Sequence, residues 1–139
     1  MRDYAATGAP PESLSVGNSS DVVMARQLVR TLAQRTGLSL VHQTKLVTAA
    51  SELGRNMLIH GGGGIVRAAT VDDAGRTGVY VEFEDRGPGI ADIELALTDG
   101  WTSGDGMGLG LSGARRLVDE FGIESGPDGT TVRIVKWGR

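Results

Sequence analysis

Glu84-Asp85-Arg86-Gly87-Pro88-Gly89-Ile90 is the stretch on which the reading of the fold turns. It leaves an alternating run, with Val79, Val81 and Phe83 set against Tyr80, Glu82 and Glu84, which predicts a strand with one buried face over Val79–Glu84. An Asp at the end of such a strand can accept a hydrogen bond from an exocyclic amine. Gly87 and Gly89 would let the backbone come close to a flat ring. Taken alone, the segment also reads as an ordinary Asp-Gly-Pro turn, and that plainer reading carries more weight.

Working upstream, Ile65–Val71 predicts a partner strand, joined through Asp72-Asp73-Ala74-Gly75. Before it, glycines 61–64 stop a helix that Ser39 caps and whose buried stripe is Val41, Leu46, Val47, Ala50, Leu53, Met57 and Leu58. On that helix Glu52 and Asn56 are four residues apart and share a face. A carboxylate and an amide oxygen projecting together can orient a hydroxyl or water and hold Mg²⁺, which prefers oxygen ligands. Without further context a solvated polar face explains the pair better. Asn18-Ser19-Ser20-Asp21 caps an earlier amphipathic helix that runs to Gly37, and Ser13–Val16 is a short strand. Residues 1–12 read as a flexible tail, leaving 13–139 as a single domain.

Downstream, one helical turn fits within 92–99. Then Gly104-Asp105-Gly106-Met107-Gly108-Leu109-Gly110-Leu111 opens a helix predicted over Leu109–Phe121. Alternating glycines before a helix expose backbone N–H groups in a field that favours anions, which makes a phosphate cradle. This is not a Walker A loop, since no Gly-Lys-Ser/Thr follows, and no strand leads directly into it as a dinucleotide fingerprint requires. Pro127-Asp128-Gly129 turns between strands at 122–126 and 130–137, the last with Val132, Ile134 and Trp137 as inward candidates. The order β-α-α-β-β-loop-α-β-β predicts an α/β fold, a two-layer sandwich with helices on one face of a mixed sheet.

The bulk properties narrow the function. A formal net charge of −3 argues against a general nucleic-acid surface. With no cysteine, disulfides, thiolate nucleophiles and Cys-based zinc sites are excluded, and two histidines alone argue against zinc. No apolar run approaches the roughly 20 residues of a membrane span, and the first residues lack a signal-peptide pattern, so a cytoplasmic location is expected. Aromatics make up only 4% of the chain, so aliphatic side chains must fill the core.

In combination the segments are more specific than any is alone. Glu-x-x-x-Asn on a helix, Asp-x-Gly-x-Gly-Ile at a strand end, Gly-x-Gly-x-Gly before a helix and Gly129-Thr130 before a strand resemble, in order and spacing, the N, G1, G2 and G3 boxes of the GHKL ATPases with their Bergerat fold. Within that superfamily the chain is similar to the RsbT switch kinases of the bacterial stressosome. The resemblance rests on Ala25-Arg26-Gln27-Leu28, Ser51-Glu52-Leu53-x-Arg55-Asn56, Glu84-Asp85-x-Gly87-Pro88-Gly89-Ile90, Arg116-Leu117-x-Asp119-Glu120-Phe121 and Lys136-Trp137, and covers roughly residues 16–139.

The resemblance implies an ATP-dependent serine/threonine protein kinase, with ATP and Mg²⁺ as cofactors. Glu52 would be the general base and Asn56 the Mg²⁺ ligand. Asp85 would read the adenine amino group, supported by Gly89 and, through water, by Thr130. Gly106, Gly108 and Gly110 would line the triphosphate, and Gly87, Ile90 and Leu109 would also bind the nucleotide. Residues 91–105 would form a lid carrying Trp101. In that lid Asp105 is at odds with a neighbouring phosphate site. The substrates implied are STAS-domain proteins (RsbS- or RsbR-like), and the regulated partner is a PP2C-type phosphatase (RsbU-like), with no nucleic acid and no membrane. Two alternatives stay open: an RsbW-like anti-sigma factor kinase that binds a sigma factor directly, and a non-catalytic, nucleotide-gated binding module. His60 is read as closing its helix, where the dipole favours a partly positive side chain.

Overall fold

The computed structural model of the chain describes residues 11–98 and 110–138. Strand β1 (Glu12–Val16) leads into helices α1 (Ser19–Arg35) and α2 (Leu40–Gly61). The hairpin β2 (Gly64–Asp73) and β3 (Arg76–Asp85) follows. Then come two short helices, α3 (Ile93–Ala96) and α4 (Leu111–Leu117), and a second hairpin, β4 (Glu120–Gly126) and β5 (Gly129–Trp137). Both long helices start where capping chemistry predicts. The Asn18 side chain accepts the Asp21 N–H at 3.0 Å, and the Ser39 hydroxyl accepts the His42 N–H at 3.2 Å. Helix α2 ends at Gly62, which takes the left-handed conformation.

The five strands form one sheet in the order β1-β2-β3-β5-β4, so β3 is central. Every neighbouring pair is antiparallel, where a mixed sheet is expected from the element order. The reason lies in the second hairpin. Strands β3 and β4 do run the same way, but β5 folds back between them, so among the described residues no parallel pair is hydrogen-bonded.

Helices α1 and α2 cover one face of this sheet. The strands present Val66 beside Phe83 and Val132, and Ala68 beside Val81 and Ile134. Ala25, Val29, Leu32 and Ala33 of α1 and Leu46, Val47, Ala50, Leu53 and Met57 of α2 pack onto them in one core. Small aliphatics dominate, as the scarcity of aromatics requires. Each fully buried Val or Leu of this kind stabilises the fold by about 1.5–3 kcal/mol.

Two local expectations are corrected. Trp137 does not face the helices. With Val132 and Ile134 inward, the period of two sends Lys136 to the helix side and Trp137 to the opposite face, where it joins Val71, Tyr80 and Val135 in a second cluster. The buried Lys136 ammonium lies 3.5 Å from Asp119. Helix α4 also ends sooner than its apolar spacing suggests, at Leu117 rather than Phe121. The chain is captured by the sheet: the Asp119 N–H donates to the Val135 carbonyl at 2.9 Å, and the Asp119 carboxylate accepts the Trp137 N–H at 2.7 Å. Val118 and Phe121 still pack on the core, Phe121 from β4 and Val118 from the extended link before it.

The outer face of the sheet is polar around its centre. Arg67 donates to Glu82 at 2.9 Å and to Glu84 at 2.8 Å, and Arg133 bridges Glu82 and Glu124. Burial, reinforced by its hydrogen bond to Glu82, pushes the Tyr80 phenol well above its ordinary range. Among the described residues no helix is long and apolar enough to cross a membrane.

Candidate functional site

The central strand β3 ends at Asp85 beneath the C-terminal half of α2, and a cavity of about 210 Å³ lies between them. Leu53, Met57, Phe83, Ile90, Leu111 and Val132 make its walls apolar. Asn56, His60, Asp85 and Thr130 are the polar side chains that line it. An apolar slot with a few convergent polar groups is the usual form of a small-molecule site, and these walls suit a flat heterocycle.

Asp85 is held rigidly. One oxygen, Oδ1, accepts the Gly87 N–H at 2.9 Å and the Thr130 N–H at 3.2 Å. The other, Oδ2, has no donor among the described residues, which leaves an acceptor for an amine on a ligand. A side chain that the sequence reading missed ties the surrounding loops together. The Ser125 hydroxyl accepts the Ile90 N–H at 2.7 Å and lies 2.7 Å from the Thr130 hydroxyl. It thereby pins the loop after β3 to the β4–β5 turn. Gly89 completes this join: its φ is +84°, and a Cβ there would collide with the Gly126 carbonyl.

Five of the site residues expected from sequence line this one cavity: Asn56, Asp85, Gly89, Ile90 and Thr130. Glu52 is not in its wall. It stands one turn earlier on α2, with Oε2 2.6 Å from where a Cβ on Gly110 would lie, so Gly110, at φ +64°, is bare where the carboxylate passes. Its other neighbour is Arg55, at 3.9 Å. Gly87 also stays out of the wall. A Cβ there would meet Gly61 Cα at 2.6 Å, so its lack of a side chain serves packing against the end of α2. Gly106, Gly108 and Leu109, together with Trp101 and Asp105 of the expected lid, lie outside the described residues. The apolar walls are the other part that sequence reading missed. In the sequence Leu53 and Met57 read only as part of a helix stripe, and Leu111 only as the start of a helix.

The donor set fits a nucleotide bound with a hard cation. The Asn56 amide nitrogen is buried and has no partner among the described residues, an unfavourable state that a bound polar group would relieve. No group of three His, Cys, Asp or Glu among the described residues could hold a metal through protein ligands alone. Mg²⁺ is commonly held by one or two protein oxygens completed by phosphate and water oxygens, and the oxygen available for that here is the Asn56 amide oxygen, while its unpartnered nitrogen could only donate to a ligand.

Residues 18–136 match the family model of the histidine kinase-like ATPase domain. The chain is 42% identical over 120 residues to the serine/threonine-protein kinase RsbT of Bacillus subtilis (strain 168), a match that covers 86% of this chain and 90% of that protein. It is 28% identical over 127 residues to an anti-sigma F factor of Thermoanaerobacter sp. (strain X514), covering 88% and 89% of the two chains. Among solved structures, the RsbU and RsbW domains of a Mycobacterium tuberculosis protein share the fold with a TM-score of 0.66 at 23% identity. That likeness takes in 94% of this chain and 33% of the solved one.

Proposed function

The chain belongs to the histidine kinase-like ATPase family, with the serine/threonine-protein kinase RsbT among its relatives, and we propose that it transfers the γ-phosphoryl group of ATP to a serine or threonine of a partner protein. The observation that carries this reading is the convergence of Asn56 from α2 and Asp85 from β3 on one largely apolar cavity, with Glu52 one turn earlier on α2. Asp85 Oδ2 accepts the adenine amino group, while Leu53, Met57, Ile90 and Val132 enclose the ring. Thr130 supports that end of the site. Asn56 would hold Mg²⁺, which would supply neutralisation of phosphate charge when bound.

The reaction forms a bond between the acceptor oxygen and the γ-phosphorus and breaks the bond from that phosphorus to ADP. Glu52 takes the proton from the acceptor hydroxyl and releases it to solvent. Positioning and charge neutralisation supply most of the catalysis in such transfers. Arg55 lies 3.9 Å from the Glu52 carboxylate, on the same stretch of α2.

The protein substrates we propose are STAS-domain proteins of a stressosome-like assembly in the cytoplasm, and the free kinase binds and regulates a PP2C-type phosphatase. The similarity to an anti-sigma F factor supports a second reading, in which the partner is a sigma factor. The test is transfer of label from γ-³²P-ATP to a STAS-domain protein of the same organism, with Glu52→Ala as control. Label on the STAS protein that is lost in Glu52→Ala supports the proposal. No label on any STAS protein, together with capture of a sigma factor, would favour the second reading.

A further inference from the structure

Strand β4 sends Phe121, Ile123 and Ser125 to the helix side of the sheet, opposite Ile134, Val132 and Thr130 of β5. The first two pairs are apolar and pack on the core. The third is a pair of hydroxyls, 2.7 Å apart, and its Thr130 lines the cavity. Polar residues at the end of a hairpin are ordinarily explained by the turn, here Pro127-Asp128-Gly129. These two hydroxyls serve something else. Among the described residues they bond to each other and to the Ile90 N–H, and not to the turn.

Counting hydrogens gives this chain of bonds a direction. A hydroxyl has one hydrogen to donate and two lone pairs to accept with. The Ser125 oxygen already accepts the Ile90 N–H at 2.7 Å. Its own hydrogen has one acceptor among the described residues, the Thr130 hydroxyl. With Ser125 as donor, both of its roles are filled, and the Thr130 hydrogen is left to turn into the cavity. With Thr130 as donor, Ser125 receives two hydrogen bonds and its hydrogen has no acceptor among the described residues. The first arrangement runs one way, from Ile90 through Ser125 to Thr130, and hydrogen bonds aligned in this manner strengthen one another.

We infer that Ser125 is a positioning residue for base recognition: by donating to Thr130 it fixes the buried Thr130 hydroxyl as a donor toward the cavity. The Thr130 N–H bonds Asp85 Oδ1 at 3.2 Å, so this donor stands beside a carboxylate that can only accept. An acceptor next to a donor matches adenine, whose amino group donates and whose neighbouring ring nitrogens, N1 and N7, accept. Hypoxanthine reverses the order at one edge, with a carbonyl oxygen beside an N1–H. A water between Thr130 and the ring would still need that ring acceptor. The inference rests on the reading of the cavity as an ATP site and deepens it, giving part of the choice of base to a serine outside the cavity wall.

The experiment is equilibrium binding of ATP, 1-deaza-ATP, 7-deaza-ATP and ITP to the wild-type chain, Ser125→Ala and Ser125→Cys, with thermal unfolding of each protein. The cysteine keeps the shape but donates weakly, and it carries the test if the alanine variant does not fold. In wild type, loss of the accepting ring nitrogen, in one of the two deaza analogues, should lower affinity by about 5–10-fold. Ser125→Ala should bind ATP about 3–10-fold more weakly, and in it that analogue should bind within about twofold of ATP. Its preference for ATP over ITP should narrow together with the deaza penalty. A deaza penalty of the same size in wild type and in the variants overturns the inference, because the serine then only pins the loops. Unchanged ATP affinity in Ser125→Ala overturns it too, as does a wild type indifferent to both deaza substitutions. A wild-type chain that binds none of the four nucleotides would instead sink the reading of the cavity itself.

Discussion

Asp85 and Glu52 are both carboxylates in different surroundings, and the tasks we propose for them differ accordingly. Asp85 is fixed by two backbone N–H groups on one oxygen, and its carboxylate lines a cavity whose walls are mainly apolar. Asp85→Asn keeps the shape but replaces a charged acceptor, so it should weaken ATP binding by about 10–100-fold, measured by calorimetric titration. Glu52→Ala should leave ATP binding nearly intact and lower phosphoryl transfer by about 10²–10⁴-fold, the usual contribution of a positioned base. Equal loss of binding and transfer in both variants would contradict the division of roles. Much at this scale was legible in sequence, because Asp-x-Gly-x-Gly and Glu-x-x-x-Asn are local patterns whose geometry follows from strand and helix periods. Ser125 was not legible. A serine ahead of a Pro-Asp-Gly turn carries no signal that its hydroxyl will receive an N–H from Ile90, 35 positions earlier in the chain.

The elements themselves were legible wherever local chemistry decides them. The caps at Asn18 and Ser39 and the stop at Gly62 bound α1 and α2 as their sequences predict. Where tertiary hydrogen bonding competes with periodicity, sequence reasoning ran long, as at α4, or took the wrong strand parity, as at Trp137. The loop after β3 is a place where backbone conformation is decisive. Gly89→Ala would force a side chain onto a residue at φ +84° and against the Gly126 carbonyl. It should cost more than about 1 kcal/mol in urea unfolding and also weaken ATP binding, because the loop it holds lines the site. Full retention of both would argue against the clamp. On the outer face of the sheet, Tyr80 is held protonated by burial beside Glu82. Its folded pKa lies above the ordinary value of 10.0, so the stability it contributes is present below pH 10 and declines as pH rises beyond that. Tyr80→Phe should flatten the fall in stability above pH 10, followed by denaturant unfolding at a series of alkaline pH values. An unchanged slope would place the alkaline sensitivity elsewhere.

At the scale of the molecule, two helices on one face of an antiparallel sheet leave the strand end of β3 and the C-terminal half of α2 facing each other across the core. The layers follow from the alternation of helix and strand patterns, but the strand order does not, because the position of β5 between β3 and β4 is set by pairing distant in sequence. The same arrangement explains why the cavity walls escaped sequence reading. Leu53, Met57 and Leu111 satisfy helix periodicity whether they meet other side chains or a ligand. The account as a whole stands on one nucleotide site in that gap. The most direct test is an NMR titration of the ¹⁵N-labelled chain with ATP and Mg²⁺. Shifts concentrated at Asn56, His60, Asp85, Gly89, Ile90 and Thr130 are predicted. Shifts centred instead on the outer sheet face around Arg67 and Arg133, or no saturable shifts at all, would contradict it.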